Sequence, residues 1–170
     1  MEIRNTVIDD CKLIIPEIFH DFRGEYVETW NIEGYNILHI PSFKQDDFSI
    51  SRQGVLRGLH GDPLTWKLVQ CPMGELLLGV LDIREVSQTR GKWQLFPLND
   101  KNRWQVLIPP GCANGHLCLS EKCMFYYKQT TLYEEQKQFS YHYTSSGITW
   151  PSGYDFKLSE RDKNAPPFWI

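Results

Sequence analysis

Long apolar runs are missing from this 170-residue chain. No window approaches the roughly 18 consecutive apolar residues of a membrane-spanning helix, so no membrane association is expected. The opening stretch MEIRNTVIDDCKLIIPEIF carries acids where a secretory signal needs a basic start and an unbroken apolar core. Basic runs are missing as well. Lys and Arg number 18 against 21 Asp and Glu, and the net charge is −3. A chain with that balance offers nucleic acid no electrostatic footprint. A small anionic ligand stays possible, because a few local arginines suffice to hold one. These absences predict a soluble, cytoplasmic protein.

Paired cysteines are also missing. The five cysteines are Cys11, Cys71, Cys112, Cys118 and Cys123, an odd number without a CxxC spacing. Neither a disulfide framework nor a zinc ribbon is signalled, and reduced, buried thiols are expected. Five histidines occur without an HxH pair, so no metal site is expected. Neither a GxSxG elbow nor a cysteine nucleophile motif is present.

Segments with a 3.6-residue hydrophobic period are almost absent. In their place stand short runs rich in Val, Ile, Leu and aromatics, separated by turn residues every 8 to 12 positions or so. They are KLIIPEIF, EYVETWNI, GVLRGLH, WKLVQC, ELLLGVLDI, WQLFPL, WQVLIPP, GHLCLS and CMFYYKQTTLY. PMG at 72–74 and LNDKN at 98–102 read as hairpin turns. PPG at 109–111 should end a strand, since proline lacks the amide donor a sheet interior needs. Length predicts one domain over residues 1–170. Many antiparallel strands in one domain predict an all-β fold, a double-sheet jelly roll able to hold a small ligand.

The stretch GVLRGLHGDPLTWKLV brings Arg57, His60 and Lys67 into one strand-rich segment. An exposed edge strand with scattered polar residues would account for them. So would a pocket in which a base and a cation converge. His60 can accept a proton near neutral pH, and Lys67 could stabilise a developing oxyanion. Tyr127 and Tyr133 are six residues apart, which on one strand would place both on the same face. Taken alone these residues leave the function open.

In order along the chain stand FHDFRGEYVETW, FKQDDFS, GVLRGLH, KLVQCPMGELLLGVLDIR, QVLIPPGCANGHLCLSE, YYKQTTLY, GITWP and LSERD. Together they resemble the dTDP-4-dehydrorhamnose 3,5-epimerase family of cupin-fold sugar-nucleotide epimerases, from about residue 10 to 165. The resemblance implies a cofactor-independent isomerase. Such an enzyme inverts C3, C5 or both of a nucleotide-linked 4-keto-6-deoxy sugar through an enolate. It implies His60 as base, Asp162 as its carboxylate partner, Lys67 on the enolate oxygen and Tyr133 as the acid on the far face. Tyr127 is the second choice of acid. Arg23, Tyr26, Glu28, Gln45 and Arg57 fall on positions that bind the nucleotide. The resemblance also implies a homodimer in which the N-terminal segment reaches the neighbouring subunit.

Three places depart from the family pattern. GLHYQ or GLHFQ becomes GLHGD, and QDN becomes QDD at Asp47. AHGF becomes ANGH, so Asn114 stands at a usual histidine and His116 at a usual aromatic; both are expected to line the substrate pocket. The GLHGD and NGHL forms look like the branch acting on GDP-linked 4-keto-6-deoxy-heptoses in capsule pathways. Two other functions stay open: a related cupin 3,4-ketoisomerase, and a sugar-nucleotide-binding cupin without turnover.

Overall fold

The computed structural model describes residues 1–170. Its strands are β1 (Glu2–Asn5), β2 (Lys12–Ile15), β3 (Ile18–Asp21), β4 (Gly24–Val27), β5 (Gln45–Arg52), β6 (Leu56–Gly61) and β7 (Lys67–Gln70). There follow β8 (Glu75–Asp82), β9 (Trp93–Asn99), β10 (Gln105–Ile108), β11 (Cys112–Cys118), β12 (Lys122–Gln129) and β13 (Phe139–Ser140). One four-residue helix, α1 (Glu160–Lys163), lies near the C-terminus. No helix is long and apolar enough to cross a membrane.

Two sheets face each other in an all-β jelly roll of the cupin type. One has the order β1-β2-β10-β7-β12-β5, the other β13-β6-β11-β8-β9, and β3 and β4 form a separate hairpin. Pairing between the named strands is antiparallel, as the run of short alternating segments predicts. Pro16 divides KLIIPEIF between β2 and β3, because it cannot donate to a ladder. EYVETWNI ends as a strand at Val27.

Both expected hairpins are instead crossings between sheets. PMG joins β7 of the six-stranded sheet to β8 of the five-stranded one, and LNDKN joins β9 back to β10. Turn chemistry marks a reversal of the chain but does not choose which sheet receives the next strand. Three further strands, β1, β5 and β13, escaped the sequence pattern. They are mostly polar or very short, and β5 reads QDDFSISR.

The core lies between the sheets. Val69, Val106 and Ile108 of one meet Leu76, Leu78, Val80 and Phe96 of the other. Full burial of side chains of this size contributes about 1.5–3 kcal/mol each. The outer face of the five-stranded sheet is covered by the C-terminal segment, where Ile148 and Trp150 pack on Leu56, Leu59, Leu81, Ala113 and Leu117. β11 therefore has apolar cover on one face and the barrel interior on the other, and all seven of its residues are buried. The loop after β4 covers the outer face of the six-stranded sheet, with Tyr35 against Ile14, Leu68 and Leu107. All five cysteines are buried free thiols.

Candidate active site

Arg57 and His60 are three residues apart, which on a regular strand would send them to opposite faces. A β-bulge reverses the phase. Asn114 of β11 opposes His60, yet His116 opposes Arg57, so the register shifts between them. The effect on β6 is visible in its packing. Leu56 and Leu59 both join the outer apolar cluster, whereas Arg57 and His60 both line one interior cavity of about 600 Å³. Glycines make the bulge possible. A Cβ on Gly58 would lie 2.5 Å from the Cα of Gly115, and one on Gly115 would lie 2.6 Å from the Arg57 carbonyl oxygen.

His60 Nε2 lies 2.5 Å from Asp162 Oδ1. Asp162 is 3% exposed, and its other oxygen accepts from the Gly58 N–H at 3.3 Å. The local fold delivers this carboxylate. Ser159 caps the single turn of α1, its hydroxyl accepting from the Asp162 N–H at 3.2 Å. Burial works to raise the Asp162 pKa, but the hydrogen bond and charge of His60, with the Gly58 and Ser159 contacts, bring it below the ordinary value.

A smaller cavity of about 130 Å³ adjoins the first. His60, Lys67, Asn114, Tyr127, Tyr133 and Arg161 are among its walls. The Lys67 ammonium lies 5.6 Å from the centroid of the Tyr127 ring. Its pKa is lowered by burial, against which the Asp62 and Asp47 carboxylates pull upward. The Tyr127 phenol is pushed up to about 12, first by burial and then by the charge of Asp47. Tyr133 reaches the same cavity by a different route from the one its spacing suggested. β12 ends at Gln129, so Tyr133 lies on the following turn. Gln45 pins that turn, accepting from the Tyr133 N–H at 2.9 Å and donating from Nε2 to Asp47 at 2.8 Å. Gln45 thus positions the turn instead of facing the cavity.

Arg57 donates from Nε to the Ser51 hydroxyl at 3.0 Å. His116 is fully enclosed, stacks on Phe125 at 4.3 Å between centroids, and has Nε2 3.4 Å from the same hydroxyl. Burial, then the charges of Arg57 and His60, push its pKa down to about 3. It is therefore a neutral wall of the cavity near pH 7. Asn114 lines both cavities.

Arg23, Tyr26 and Glu28 are not brought to this site. Arg23 sits at the exposed tip of the β3–β4 hairpin, paired with Asp21 at 2.5 Å. Tyr26 is 66% exposed, and Glu28 accepts from the Asn31 side chain. A separate cleft runs between the hairpin and the six-stranded sheet, where Arg103 pairs with Glu25. It contains no pairing of an imidazole with a carboxylate.

The GLHGD departure has a structural cause. A Cβ on Gly61 would lie 2.6 Å from the Phe139 ring and 2.5 Å from the Cys112 carbonyl oxygen. Phe139 thus fills the space beside Gly61. Asp62 ties the following turn, accepting from the Leu64 and Thr65 N–H groups at 2.9 Å each. Sequence reasoning missed Arg161, although LSERD places it beside Asp162. Its guanidinium donates to Ser140 at 2.9 Å and it lines both cavities. No three His, Cys, Asp or Glu side chains converge in a metal-ligating cluster.

This arrangement suits proton transfer. An imidazole held by a buried carboxylate, an ammonium and two phenols border one space. Comparison with known proteins points the same way. The profile of the dTDP-4-dehydrorhamnose 3,5-epimerase family matches residues 5–169. The dTDP-4-dehydrorhamnose 3,5-epimerase of Methanothermobacter thermautotrophicus is 39% identical, over 95% of this chain and 91% of its own. That of Salmonella typhimurium is 36% identical, over 98% and 94%. The crystal structure of dTDP-6-deoxy-D-glucose-3,5-epimerase from Legionella pneumophila, in complex with dTDP-4-keto-L-rhamnose, superimposes with a TM-score of 0.94. It is 40% identical and the match covers 98% of this chain and 92% of that one.

Proposed function

The chain belongs to the dTDP-4-dehydrorhamnose 3,5-epimerase family of sugar-nucleotide epimerases, and we propose that it inverts C3, C5 or both of a nucleotide-linked 4-keto-6-deoxy sugar. The observation that carries this reading is the convergence of the His60–Asp162 pair with Lys67 and Tyr133 on one cavity. His60 takes the proton from the carbon next to the C4 carbonyl. The C–H electron pair becomes the enolate double bond, and the carbonyl pair moves onto oxygen. Lys67 stabilises that oxygen, as a fixed cation in a water-poor site does most effectively. Tyr133 gives a proton to the opposite face of the same carbon, which inverts it. Solvent then reprotonates the phenolate and takes the proton from His60. The sugar's oxidation state is unchanged, so the step needs no redox partner. Asp162 holds the imidazole orientation and favours its protonated form after abstraction.

We propose that residues 1–170 act as one domain and that two chains form a homodimer. The β3–β4 hairpin supports this. A two-stranded hairpin is marginal alone, and this one exposes Phe19, Phe22 and Tyr26. Docked on a second copy, it would bring Arg23, Tyr26 and Glu28 to the partner's cavity to hold the nucleotide beside Arg57. Light scattering at micromolar concentration tests this, and a stable monomer would contradict it.

The names of the relatives favour a dTDP-linked 4-keto-6-deoxyhexose as substrate. A second reading, a GDP-linked 4-keto-6-deoxy-heptose used in capsule assembly, draws support from Asn114 and His116, the departures that line the cavity. A panel of GDP- and dTDP-linked 4-keto sugars, followed by NMR in deuterium oxide, distinguishes them. An epimerase incorporates deuterium at the inverted carbon, whereas a binding protein without turnover incorporates none with any member of the panel. A 3,4-ketoisomerase would move the carbonyl.

A further inference from the structure

Ser51 of β5 is 1% exposed, and its hydroxyl meets two side chains from the opposite sheet. Arg57 Nε donates to it at 3.0 Å, and His116 Nε2 lies 3.4 Å away. Arg57 and His116 themselves face each other across the β6–β11 pair. A serine hydroxyl has one proton to give, and a guanidinium can only donate. Arg57 therefore takes a lone pair of the hydroxyl and leaves its proton to be placed elsewhere. The remaining partner is His116 Nε2. That ring is neutral near pH 7, because burial and then the charge of Arg57 hold its pKa down to about 3. One of its nitrogens is thus free to accept. If Nε2 carried the ring hydrogen, two donors would point at one enclosed oxygen and the serine proton would have no acceptor, which is costly at a buried site. The chain of contacts accordingly runs from Arg57 Nε–H to Ser51 and from Ser51 O–H to His116 Nε2, with the ring hydrogen on Nδ1.

The same contacts leave one end of Arg57 unspent. Its Nη2 donates to the Ile50 carbonyl at 3.5 Å, so Nε and Nη2 are both tied to β5. Arg57 takes part in none of the protein's ion pairs, and it lines the larger cavity. A guanidinium held by one edge at a cavity wall, without a counter-charge, suits an anion that enters the cavity. Position 116 is where the sequence pattern expects an aromatic residue. A phenylalanine could stack on Phe125 as His116 does, at 4.3 Å between centroids, but it could not accept from Ser51.

We propose that His116 is a positioning residue: by accepting from Ser51 it fixes the hydroxyl that holds Arg57, and so aims the free end of the guanidinium at the diphosphate of the sugar nucleotide. This rests on the reading of Arg57 as a nucleotide-binding residue and adds what sets its orientation. The departure from the family pattern at 116 thereby gains a task that packing alone does not require.

The first test needs only wild-type protein. Nitrogen-15 shifts of the His116 ring report which nitrogen carries the hydrogen. The expected form has the hydrogen on Nδ1 and a bare Nε2. A hydrogen on Nε2 would overturn the proposal. The second test measures calorimetric affinity for dTDP and for GDP in wild type, Ser51→Ala, His116→Phe and the double variant. Each single variant should weaken binding of the preferred nucleotide by about 2- to 10-fold, the net worth of one hydrogen bond. The double variant should bind no more weakly than Ser51→Ala, because His116 acts through Ser51. Unchanged affinity in His116→Phe, or losses that multiply in the double variant, would overturn the proposal. Failure of the wild type to bind either nucleotide would overturn it together with the role of Arg57. With a 4-keto sugar nucleotide that turns over, the loss should appear in KM, with kcat changing less than about twofold. A fall in kcat at constant KM would place His116 in the proton transfer and refute the positioning role. Tight nucleotide binding with the expected couplings but without deuterium exchange on any 4-keto sugar would instead refute the epimerase reading and leave the His116–Ser51–Arg57 assignment standing.

Discussion

His60 and Asp162 are 102 positions apart in sequence, and their side chains meet at 2.5 Å. One is delivered by a bulged strand, the other by the first turn of a short helix. If the carboxylate orients the imidazole and supports its protonated form, Asp162→Asn should lower turnover by about 10²- to 10⁴-fold. Substrate binding should change much less. Because the native pKa of Asp162 lies below its unfolded value, the pair's contribution to stability is complete above that unfolded value. It is lost as pH falls through the native one. Acid unfolding followed by circular dichroism should accordingly show a shallower acid limb in Asp162→Asn.

Tyr133→Phe should separate the two half-reactions. Proton removal by His60 needs no phenol, so deuterium should still wash into the starting sugar. Inversion needs a proton from the other face and should fall far more than exchange does. If both signals fell together, Tyr133 would be a binding residue only. If Tyr127→Phe abolished inversion while Tyr133→Phe did not, the acid would be Tyr127, whose phenol is also on the cavity wall.

Lys67→Met should reduce kcat by about 10²- to 10³-fold, the usual loss when a donor to a developing oxyanion is removed. Its effect on stability should have the opposite sign. Burial lowers the Lys67 pKa, so the charged form is disfavoured by folding, and stability attributable to this residue rises as pH climbs from the native pKa to the unfolded one. Below that window the folded protein carries the unfavourable buried charge. Calorimetry at neutral pH should find Lys67→Met no less stable than the wild type. A marked loss of Tm would show that the ammonium is a structural anchor.

His116 is predicted to be a wall and not a proton donor. Its native pKa of about 3 lies well below the ordinary imidazole value of 6.5. Unfolded chains therefore bind a proton between those limits that folded chains do not, and stability drops as pH falls from 6.5 toward 3. One such proton is worth about 1.4 kcal/mol per pH unit. His116→Phe should keep the stack on Phe125, flatten this slope, and change kcat/KM by less than about tenfold. A larger loss would give His116 a direct part in the chemistry.

Much of this was legible in the sequence. Short apolar runs such as ELLLGVLDI, separated by turn residues, and the density of aromatics predicted the two-sheet architecture, and the family resemblance carried by LSERD and GVLRGLH implied the His60–Asp162 pair. Two physical features were not legible. Turn residues at 72–74 and 98–102 mark a reversal, but which sheet receives the next strand depends on contacts distant in sequence. The period-two rule likewise puts Arg57 and His60 on opposite faces. The register shift between β6 and β11, where Gly58 lies against Gly115, reverses it, and no local pattern encodes that shift. The same limit applied to Tyr127 and Tyr133, whose shared cavity comes from a turn and not from a continuous strand. The hairpin residues Arg23, Tyr26 and Glu28 stand apart from His60 within this chain, a separation that the sequence motif alone does not state.

The most direct measurement is proton NMR of the nucleotide-linked 4-keto-6-deoxy sugar in deuterium oxide, with wild-type protein and with His60→Asn. Asparagine keeps a polar side chain at this position but cannot take up the proton. Wild-type protein should replace the proton at C3, C5 or both with deuterium and give the inverted sugar. His60→Asn should lose both signals by about 10²-fold or more. Deuterium incorporation at the wild-type rate in folded His60→Asn would show that another group removes the proton.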